Sequence, residues 1–317
     1  MVEVSNADRL VFPDVGKTKG DVVAYYERIA ERALPHVRER PLSIRRYPKG
    51  LSGAGFFQKN VPAHYPSSIA RFGVPRSREA TKKHKGARAK EQDVTLYPVV
   101  SEPEHLPYLA NQGAIELHVP TARAADLWHP DKLVIDLDPP ARAVALVRRA
   151  ALLMRERLES YGLPAVPVAT GSKGYHVVVA LQPTVDAETL ALTARKFAEL
   201  EAASHPDVLT TAYRISLRGE RVFVDWLRNN PMASAVAPYS LRATPRASVA
   251  APLGWHELDS IEPASFSIDD LDRLLERPDS LAQLMAAPAN ASRFVHEVAD
   301  AFERSGLTLE TFDRFRS

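Results

Sequence analysis

Apolar residues recur along this chain at two periods, three to four residues apart in some segments and two apart in others, which predicts a mixture of helices and strands. Thr18 and Asp21 are spaced like a capping box, and the apolar positions that follow keep helical spacing as far as Pro35. A first helix is therefore predicted over about 19–34. Further helices are predicted over residues 144–161 and about 188–204.

Short β-rich runs bounded by proline or glycine predict strands. These runs cover residues 42–47, 55–59, 115–119, 132–138, 165–169, 175–181 and 221–227. From about residue 246 prolines interrupt the chain, and the apolar positions after Ser267, a candidate N-cap, have helical spacing. This tail is expected to wrap the core. Strands and helices in mixed order imply a two-layer α/β or α+β core.

Composition narrows the class of protein. With 45% hydrophobic and 25% charged residues among 317, the chain is expected to be folded and soluble. No apolar run reaches the ~18–20 residues that cross a bilayer, and the first residues lack the features of a signal peptide, so a cytoplasmic location is expected. Because there is no cysteine, any metal must be held by oxygen or imidazole, which favours Mg²⁺ or Mn²⁺.

Basic residues are concentrated in one segment, although the net charge of +2 is small. Between Arg76 and Lys90 only one acidic residue, Glu79, interrupts them. Such a stretch has too little apolar content to pack, so it is predicted to be a loop that binds nucleic acid. The lysines at its centre are Lys82, Lys83 and Lys85.

Three aspartates form the strongest candidate for a reactive centre. Asp136 and Asp138 are two residues apart on a predicted strand, which places both carboxylates on one face. If the strand that carries Asp225 is its neighbour, three carboxylates can hold two divalent ions, as phosphoryl chemistry requires. Taken alone, an Asp-x-Asp pair is more often solvated or part of a turn. Three arginines flank the third aspartate at spacings that allow a common cleft, although exposed arginines are usually only solvated: Arg218, Arg228 and Arg242.

Residues 170–176 have the sequence Thr-Gly-Ser-Lys-Gly-Tyr-His, which brings hydroxyls, backbone N–H groups, an ammonium and an imidazole together. These are the donors that phosphate oxygens need. The spacing is not that of a Walker A loop, and a strand is predicted to follow it instead of a helix. A plain tight turn explains this segment equally well.

One histidine and one pair of adjacent phenylalanines each have both a structural and a functional interpretation. His118 ends an apolar strand, where a structural histidine is more common than a ligand. In the adjacent pair Phe56 and Phe57, alternation along a strand directs only one ring into the core. The other ring is available to stack on a base, or to pack at a sheet edge.

Taken together and in order, these segments resemble the polymerase domain of bacterial ligase D, a branch of the archaeo-eukaryotic primase-polymerase superfamily. The resemblance covers nearly the whole chain. It rests on Phe12-Pro13 leading into Thr18-Lys-Gly-Asp-Val-Val-Ala-Tyr-Tyr26, on Gly55-Phe-Phe-Gln-Lys59, Ala114-Ile-Glu-Leu-His-Val-Pro120, Leu133-Val-Ile-Asp-Leu-Asp-Pro139, Gly171-Ser-Lys-Gly-Tyr-His176, Arg221-Val-Phe-Val-Asp-Trp226 and Ala237-Pro-Tyr-Ser-Leu-Arg242.

The resemblance implies an α+β primase-polymerase fold, in which two mixed α/β subdomains pack together with the active site in the cleft between them. Residues 1–317 would form a single catalytic domain. About 1–120 would carry the contacts to a DNA end, about 121–245 the catalytic centre, and about 246–317 a C-terminal helical wrap. No Lys-x-Asp-Gly ligase signature occurs, so either a stand-alone polymerase or one excised from a longer chain is expected.

The resemblance also implies roles for single residues. Asp136, Asp138 and Asp225 would bind two ions of Mn²⁺, or Mg²⁺. The triphosphate would contact Ser172, Lys173, His176 and Arg242, with Thr170 where family members often have serine. His118 would lie near the sugar, and Arg218 and Arg228 would support the nucleotide or the acids. Phe56 and Phe57 would contact template bases, and Arg9 and Lys19 would grip a 5'-phosphate, with arginine at position 9 a departure from the usual lysine.

The implied function is addition of nucleotides, with NTPs preferred over dNTPs, to a primer 3'-hydroxyl at gaps or broken ends in non-homologous end joining. Ku and a separate DNA ligase are the expected partners. Three alternatives stay open: a metal-dependent nuclease or phosphatase, which the phosphate-binding turn disfavours; a non-catalytic DNA-end-binding module, which the intact set of aspartates disfavours; and a primase that makes primers de novo.

Overall fold

The computed structural model describes residues 3–75, 94–141 and 143–310. Its helices are α1 (Lys19–Val37), α2 (His105–Asn111), α3 (Val144–Ser160), α4 (Ala187–Ser204), α5 (Leu271–Glu276), α6 (Ser280–Met285) and α7 (Ser292–Ser305). Its strands are β1 (Leu10–Phe12), β2 (Lys17–Thr18), β3 (Ser43–Arg46), β4 (Phe56–Gln58), β5 (Ala70–Pro75), β6 (Val94–Val99), β7 (Ala114–Val119), β8 (Lys132–Asp138), β9 (Ala165–Ala169), β10 (Tyr175–Ala180), β11 (Leu209–Thr210), β12 (Val222–Asp225), β13 (Ala235–Val236) and β14 (Ala251–Pro252).

The larger sheet has six strands in the order β11-β12-β8-β10-β9-β14. On the central strand β8, Leu133, Ile135 and Leu137 are fully buried in the main core, where α3 and α4 pack. Val134 belongs to a small cluster with Leu281 of α6 on the opposite face. Because side chains alternate along a strand, the even-numbered positions of β8 carry its two aspartates on the side away from α3.

The smaller sheet has the order β13-β7-β3-β4, and α1 and α2 lie against it. Two buried tyrosines of α1 fasten this layer: the Tyr25 hydroxyl donates to the Tyr239 carbonyl, and the Tyr26 hydroxyl donates to the carbonyl of Ile115 in β7. Separate hairpins are formed by β1 with β2 and by β5 with β6. One continuous core of buried apolar residues joins both sheets.

Most predicted elements are present within a residue or two, and two of their ends differ. Helix α1 begins at the predicted capping box but continues through Pro35 to Val37. Leu34 and Val37 are buried in the core, and this packing offsets the hydrogen bond that Pro35 cannot donate. The strand predicted over 221–227 stops at Asp225, because the chain turns there into a short 3₁₀ segment. The predicted cap Ser267 accepts a hydrogen bond from the Asp269 amide.

The mixed α+β class is confirmed, whereas helix α2 and the β5–β6 hairpin were not predicted. The division of the chain at about residues 120 and 245 stays a prediction. Among the described residues, no helix has both the length and the apolar character of a membrane span.

Candidate active site

Three carboxylates meet where β8 and β12 lie side by side. Asp225, at the end of β12, is the cross-strand partner of Asp136, and Asp138 lies two residues further along the same face of β8. One ligand oxygen from each of the three lies within 4.8 Å of the others. Asp136 and Asp225 are buried and Asp138 is partly buried. The structure therefore brings the three predicted carboxylates together.

The acidic cluster is electrostatically crowded. Burial raises the pKa of Asp225 to about 6, against the opposing effect of the Arg228 guanidinium. Burial and the neighbouring Asp136 charge raise the pKa of Asp138. A cation between such carboxylates removes this repulsion, and oxygen donors are the ligands that hard divalent ions prefer. The donor set fits a divalent metal ion.

Three basic side chains surround the acids. Arg228 reaches back from the 3₁₀ turn after β12, so that its Nε is 2.9 Å from Asp136 Oδ2 and its terminal nitrogen is 3.2 Å from Asp225 Oδ2. His176, on β10, places Nε2 3.5 Å from Asp136 Oδ1, and burial lowers the pKa of His176 to about 4. Lys173 Nζ is 3.5 Å from an oxygen of Asp138. The groups predicted to bind phosphate and the acids thus face one space.

The predicted phosphate-binding turn connects β9 with β10. Two of its positions accept only glycine. Gly171 has a φ of +67°, and a Cβ there would lie 2.8 Å from Cγ of Arg242. A Cβ on Gly174 would lie 2.0 Å from the carbonyl oxygen of Leu137. The turn therefore packs directly against β8 and Arg242, at the end of β8 that carries the acids.

The side chains of this turn divide between closing it and facing the cleft. The Thr170 hydroxyl donates to the Gly174 carbonyl at 2.7 Å, so it stabilises the turn. Ser172 and Lys173 are exposed at its tip. Together with residues of β7, β8, β10 and β13, they border a cavity of about 140 Å³. Its lining residues are His118, Asp136, Asp138, Thr170, Ser172, Lys173, Gly174, His176, Arg228, Ser234, Ala235, Val236 and Arg242.

A buried glutamate that was not predicted connects two of the expected nucleotide contacts. Glu116 Oε2 is 2.8 Å from Nε2 of His118, and Glu116 Oε1 is 3.5 Å from Nε of Arg242. Burial lowers the pKa of His118, while the Glu116 carboxylate raises it. Glu116 lies two residues before His118 on β7, and that spacing is the only sign of its position available from the sequence.

The adjacent phenylalanines differ from their prediction. Phe56 and Phe57 are both about half exposed, at 49% and 55%, so neither ring enters the core. The reason is that β4 is a three-residue strand at the edge of the smaller sheet. Phe57 packs edge-on against His118 at a centroid distance of 5.3 Å, and the Arg46 guanidinium lies 5.8 Å from the centroid of Phe56. The rings thus extend the cleft surface beyond His118.

Arg218 lies beside the cleft but outside its lining. It donates to the carbonyls of Ala212 and Tyr213 and stacks 3.7 Å from the centroid of Phe223. Its charge lies near enough to Asp138 to lower the pKa of that carboxyl, against the larger effect of burial. Ile215 and Leu217, which adjoin Arg218 in the chain, are 81% and 60% exposed. The sequence analysis did not predict them as part of a site.

The expected 5'-phosphate contacts lie at the start of α1. Lys19 is 97% buried (3% exposed) and its Nζ donates to both the carbonyl and the hydroxyl of Ser5, at 2.7 and 2.8 Å. Arg9 lies close enough for its charge to lower the pKa of Lys19, after the larger effect of burial. Arg9 Nε is buried without a hydrogen-bond partner among the described residues. Lys82, Lys83 and Lys85 lie outside the described residues.

Comparison with known proteins agrees with this geometry. Residues 18–281 match the family described as the primase-polymerase domain of LigD. The chain belongs to this family of nucleotidyltransferases, which operates in non-homologous end joining.

Individual relatives show how much of a longer protein this chain represents. It is 32% identical over 290 residues to the multifunctional non-homologous end joining protein LigD of Mycolicibacterium smegmatis, covering 90% of this chain and 36% of that protein. It is 31% identical over 280 residues to the bifunctional non-homologous end joining protein LigD of Bacillus subtilis, covering 86% of this chain and 42% of that protein. The chain thus spans about two fifths or less of these relatives' lengths.

One solved structure is similar over almost its full length. It is described as the polymerase domain from Mycobacterium tuberculosis ligase D in complex with DNA, and it is 32% identical to this chain. The TM-score is 0.78, and the match covers 91% of this chain and 99% of the other. The predicted primase-polymerase fold is confirmed.

Proposed function

We propose that this chain adds nucleotides, NTPs in preference to dNTPs, to the 3'-hydroxyl of a primer strand at gaps and double-strand-break ends in DNA. One observation carries the proposal: three carboxylates converge beside the predicted phosphate-binding turn, with Lys173 3.5 Å from Asp138 and His176 3.5 Å from Asp136. Asp136 and Asp138 line the same cleft as the turn, and Asp225 is the cross-strand partner of Asp136. A nuclease would need the acids, but it would not need this number of cationic and hydroxyl side chains placed to bind a triphosphate.

The carboxylates of Asp136, Asp138 and Asp225 would hold two divalent ions, Mn²⁺ or Mg²⁺. When bound, these ions supply Lewis acidity at the attacking 3'-hydroxyl and at the departing pyrophosphate. In the reaction the 3'-oxygen bonds to the α-phosphorus, the bond from that phosphorus to the oxygen of the departing pyrophosphate breaks, and the hydroxyl proton passes to solvent water. No protein nucleophile is required.

The chain's own basic residues would bind and orient the triphosphate. All four predicted contacts line the cleft: Ser172 and Lys173 are exposed at the tip of the turn, whereas His176 is buried and Arg242 is partly buried. Charge-assisted hydrogen bonds from such groups strengthen as negative charge shifts to the leaving group. His118, next to Val236 across the β7–β13 pair, would border the sugar.

DNA would run across the same face of the molecule. Phe56 and Phe57 present half-exposed rings to template bases, and Arg9 with Lys19 would bind a 5'-phosphate on the far side of a gap. The exposed apolar residues beside Arg218 suit the primer strand, because they adjoin an arginine whose charge reaches Asp138, where the 3' end must come. Lys82, Lys83 and Lys85 would add electrostatic attraction to the DNA backbone.

The cellular setting follows from the family. End joining with Ku and a separate DNA ligase, in the cytoplasm and on nucleoid DNA, is the proposed context. Ku binding and ligase binding are separate from the chemistry of the cleft, so they require their own pull-down experiments with purified partners.

The test is extension of a labelled primer across a short gap with Mn²⁺, comparing NTPs with dNTPs. Wild type is compared with Asp136→Ala and with a control, Asp126→Ala, whose carboxylate is about half exposed and pairs with His129 and the Trp128 amide close by in the chain. We expect addition by wild type and control and none by Asp136→Ala. DNA binding without addition by the wild type would instead indicate an end-binding module, and synthesis without a primer would indicate a primase.

A further inference from the structure

Glu116 of β7 is the most buried carboxylate beside the cleft, with 2% of its surface exposed. Its two oxygens contact four groups that are far apart along the chain. Oε2 is 2.8 Å from His118 Nε2, and Oε1 accepts from the Ala243 amide at 2.9 Å and from Arg45 at 3.3 Å. Oε1 is also 3.5 Å from Nε of Arg242. One carboxylate therefore joins both edges of the cleft.

The partners of Glu116 are themselves connected to the proposed substrates. Arg242 donates to the Thr170 carbonyl at 2.5 Å, so it is held between Glu116 and the phosphate-binding turn. His118 packs edge-on against Phe57, and the Arg45 guanidinium lies 5.8 Å from the centroid of the same ring. A continuous path of contacts leads from the template-facing ring, through Glu116, to the triphosphate side of the cleft.

We propose that Glu116 is a positioning residue that fixes His118 and Arg242 for the incoming nucleotide and makes nucleotide binding depend on the Phe57 ring. The inference rests on the proposed function, since it assigns the nucleotide to this cleft. Glu116 is enclosed by protein groups and does not itself line the cleft, so its effect must pass through its neighbours.

The contacts require a charged, full-length side chain. Burial opposes ionisation, but the hydrogen bond to His118 and the charge of Arg242 lower the pKa of Glu116 to about 2. Arg242 Nε is buried and makes no hydrogen bond within the described residues, and the Glu116 carboxylate 3.5 Å away is the negative charge that faces it. An amide at position 116 keeps the shape but removes this charge, and aspartate keeps the charge but falls one methylene short.

The experiment measures KM for the nucleotide and kcat separately in single-nucleotide gap filling. Glu116→Gln is compared with wild type, with Glu116→Asp and with Glu201→Gln. The last is a matched control, because Glu201 is equally buried at 4% exposure and is paired 3.0 Å from Arg157, away from the cleft. We expect Glu116→Gln to raise KM about tenfold with less than about a threefold loss of kcat. Glu116→Asp should recover part of this loss, and Glu201→Gln should leave KM unchanged.

Coupling to the template face is tested with Phe57→Leu. If Glu116 transmits the position of the ring, the rise in KM of the double variant is smaller than the product of the single rises. A KM unchanged by Glu116→Gln, or raised as much by Glu201→Gln, overturns the inference. If Glu116→Gln does not fold, Glu116→Asp decides by the same comparison.

A second readout separates this inference from the proposed function. Equilibrium binding of an NTP to the protein on gapped DNA with a dideoxy-terminated primer requires no turnover. If the wild type binds nucleotide in this assay but does not extend a primer with an ordinary 3'-hydroxyl, the proposed activity fails. A tenfold weaker affinity in Glu116→Gln would still support the positioning role. Equal affinity in wild type and Glu116→Gln contradicts that role.

Discussion

At the scale of single residues, the acidic cluster concentrates like charges in a place where protein alone compensates them only in part. Arg228 contacts Asp136 and Asp225, whereas Asp138 has the more distant Lys173 at 3.5 Å and the weaker effects of the Arg228 and Arg218 charges. The raised pKa values of Asp138 and Asp225 show the remaining repulsion. A site of this kind favours binding of a cation over stability of the empty protein.

Asp225→Asn tests this balance, because the amide keeps the shape and removes one charge. We expect nucleotide addition to fall by roughly 100-fold or more, while the metal-free thermal midpoint is unchanged or raised. Added Mn²⁺ should raise the midpoint of the wild type but not that of the variant, since a ligand stabilises only the state that binds it. Asp207→Asn, at an exposed position, serves as control. Primer extension by Asp225→Asn at the wild-type rate would refute the metal assignment.

Lys19 provides a second residue-level prediction. Lys19→Met keeps most of the buried stem and removes the ammonium that Ser5 now accepts from. We expect the preference for a gap with a 5'-phosphate over one with a 5'-hydroxyl to fall about tenfold. Binding to the two gapped DNAs is compared by fluorescence anisotropy.

The matched control for Lys19 is Lys17→Met. Lys17 lies two residues earlier in β2 and is ion-paired with Asp269, so its charge is already compensated. The Lys17→Met variant should retain the full preference for a gap with a 5'-phosphate. Unchanged discrimination in Lys19→Met would show that this lysine only holds the N-terminal segment in place.

At the scale of elements, local pattern determined much of the fold. The strand over 132–138 and the strand over 165–169 are found with their predicted bounds, because short β-rich runs bounded by proline specify them locally. Helix α2 was missed, since its seven residues include a proline and give little helical periodicity.

The arrangement of the elements in space was harder to predict from the sequence. The pairing of β12 with β8, separated by more than 80 residues, could be proposed only as a condition for a metal site. Glu116 was missed because its partners at positions 45, 242 and 243 are distant in sequence. Contacts of this kind depend on tertiary packing, which the local periodicity of the sequence does not reveal.

The segment after β11 supports a prediction at this scale. Ile215 and Leu217 are so exposed that they contribute little to stability. We expect Ile215→Ser combined with Leu217→Ser to weaken binding of a primer–template duplex about five- to tenfold, from loss of about 1 kcal/mol of contact with the primer. The free energy of unfolding should change by less than about 0.5 kcal/mol.

A pair of leucines on the outer helices controls for surface hydrophobicity in general. Leu152 and Leu192 are 43% and 48% exposed on α3 and α4, which cover the face of the large sheet opposite the acids. Leu152→Ser combined with Leu192→Ser should bind DNA as the wild type does. Equal loss in both double variants would remove the proposed primer contact.

At the scale of the whole molecule, helix α6 is fastened to the first helix through buried polar groups. His36 of α1 is fully buried, with Nε2 2.8 Å from the carboxylate of Asp279. The same carboxylate accepts from the Ala282 amide and so caps α6. His36 Nδ1 has no hydrogen-bond partner among the described residues. Protonation would leave a second N–H unsatisfied in the core, which disfavours the imidazolium.

This connection predicts how stability depends on pH. Burial lowers the pKa of His36, against the opposing effect of Asp279, so the unfolded chain takes up the proton first as the pH falls below about 6.5. The stabilisation is complete above that value and is lost on acidification, by at most about 1.4 kcal/mol per pH unit. Raised pKa values such as that of Asp225 act in the opposite direction in this range, so only a comparison of variants isolates His36.

Urea unfolding of metal-free protein at pH 7.5 and pH 5.5 is the measurement. We expect His36→Gln to be less stable than wild type at pH 7.5, because the buried contact with Asp279 is altered, but to lose less stability on going to pH 5.5. His296→Gln, at an exposed position of α7, should lose as much as the wild type. Parallel losses in wild type and His36→Gln would mean that folding leaves the pKa of His36 unchanged, which contradicts the prediction. A smaller loss in wild type than in His36→Gln would mean that folding raises this pKa, and the tie between α1 and α6 would then be an ion pair that acid strengthens.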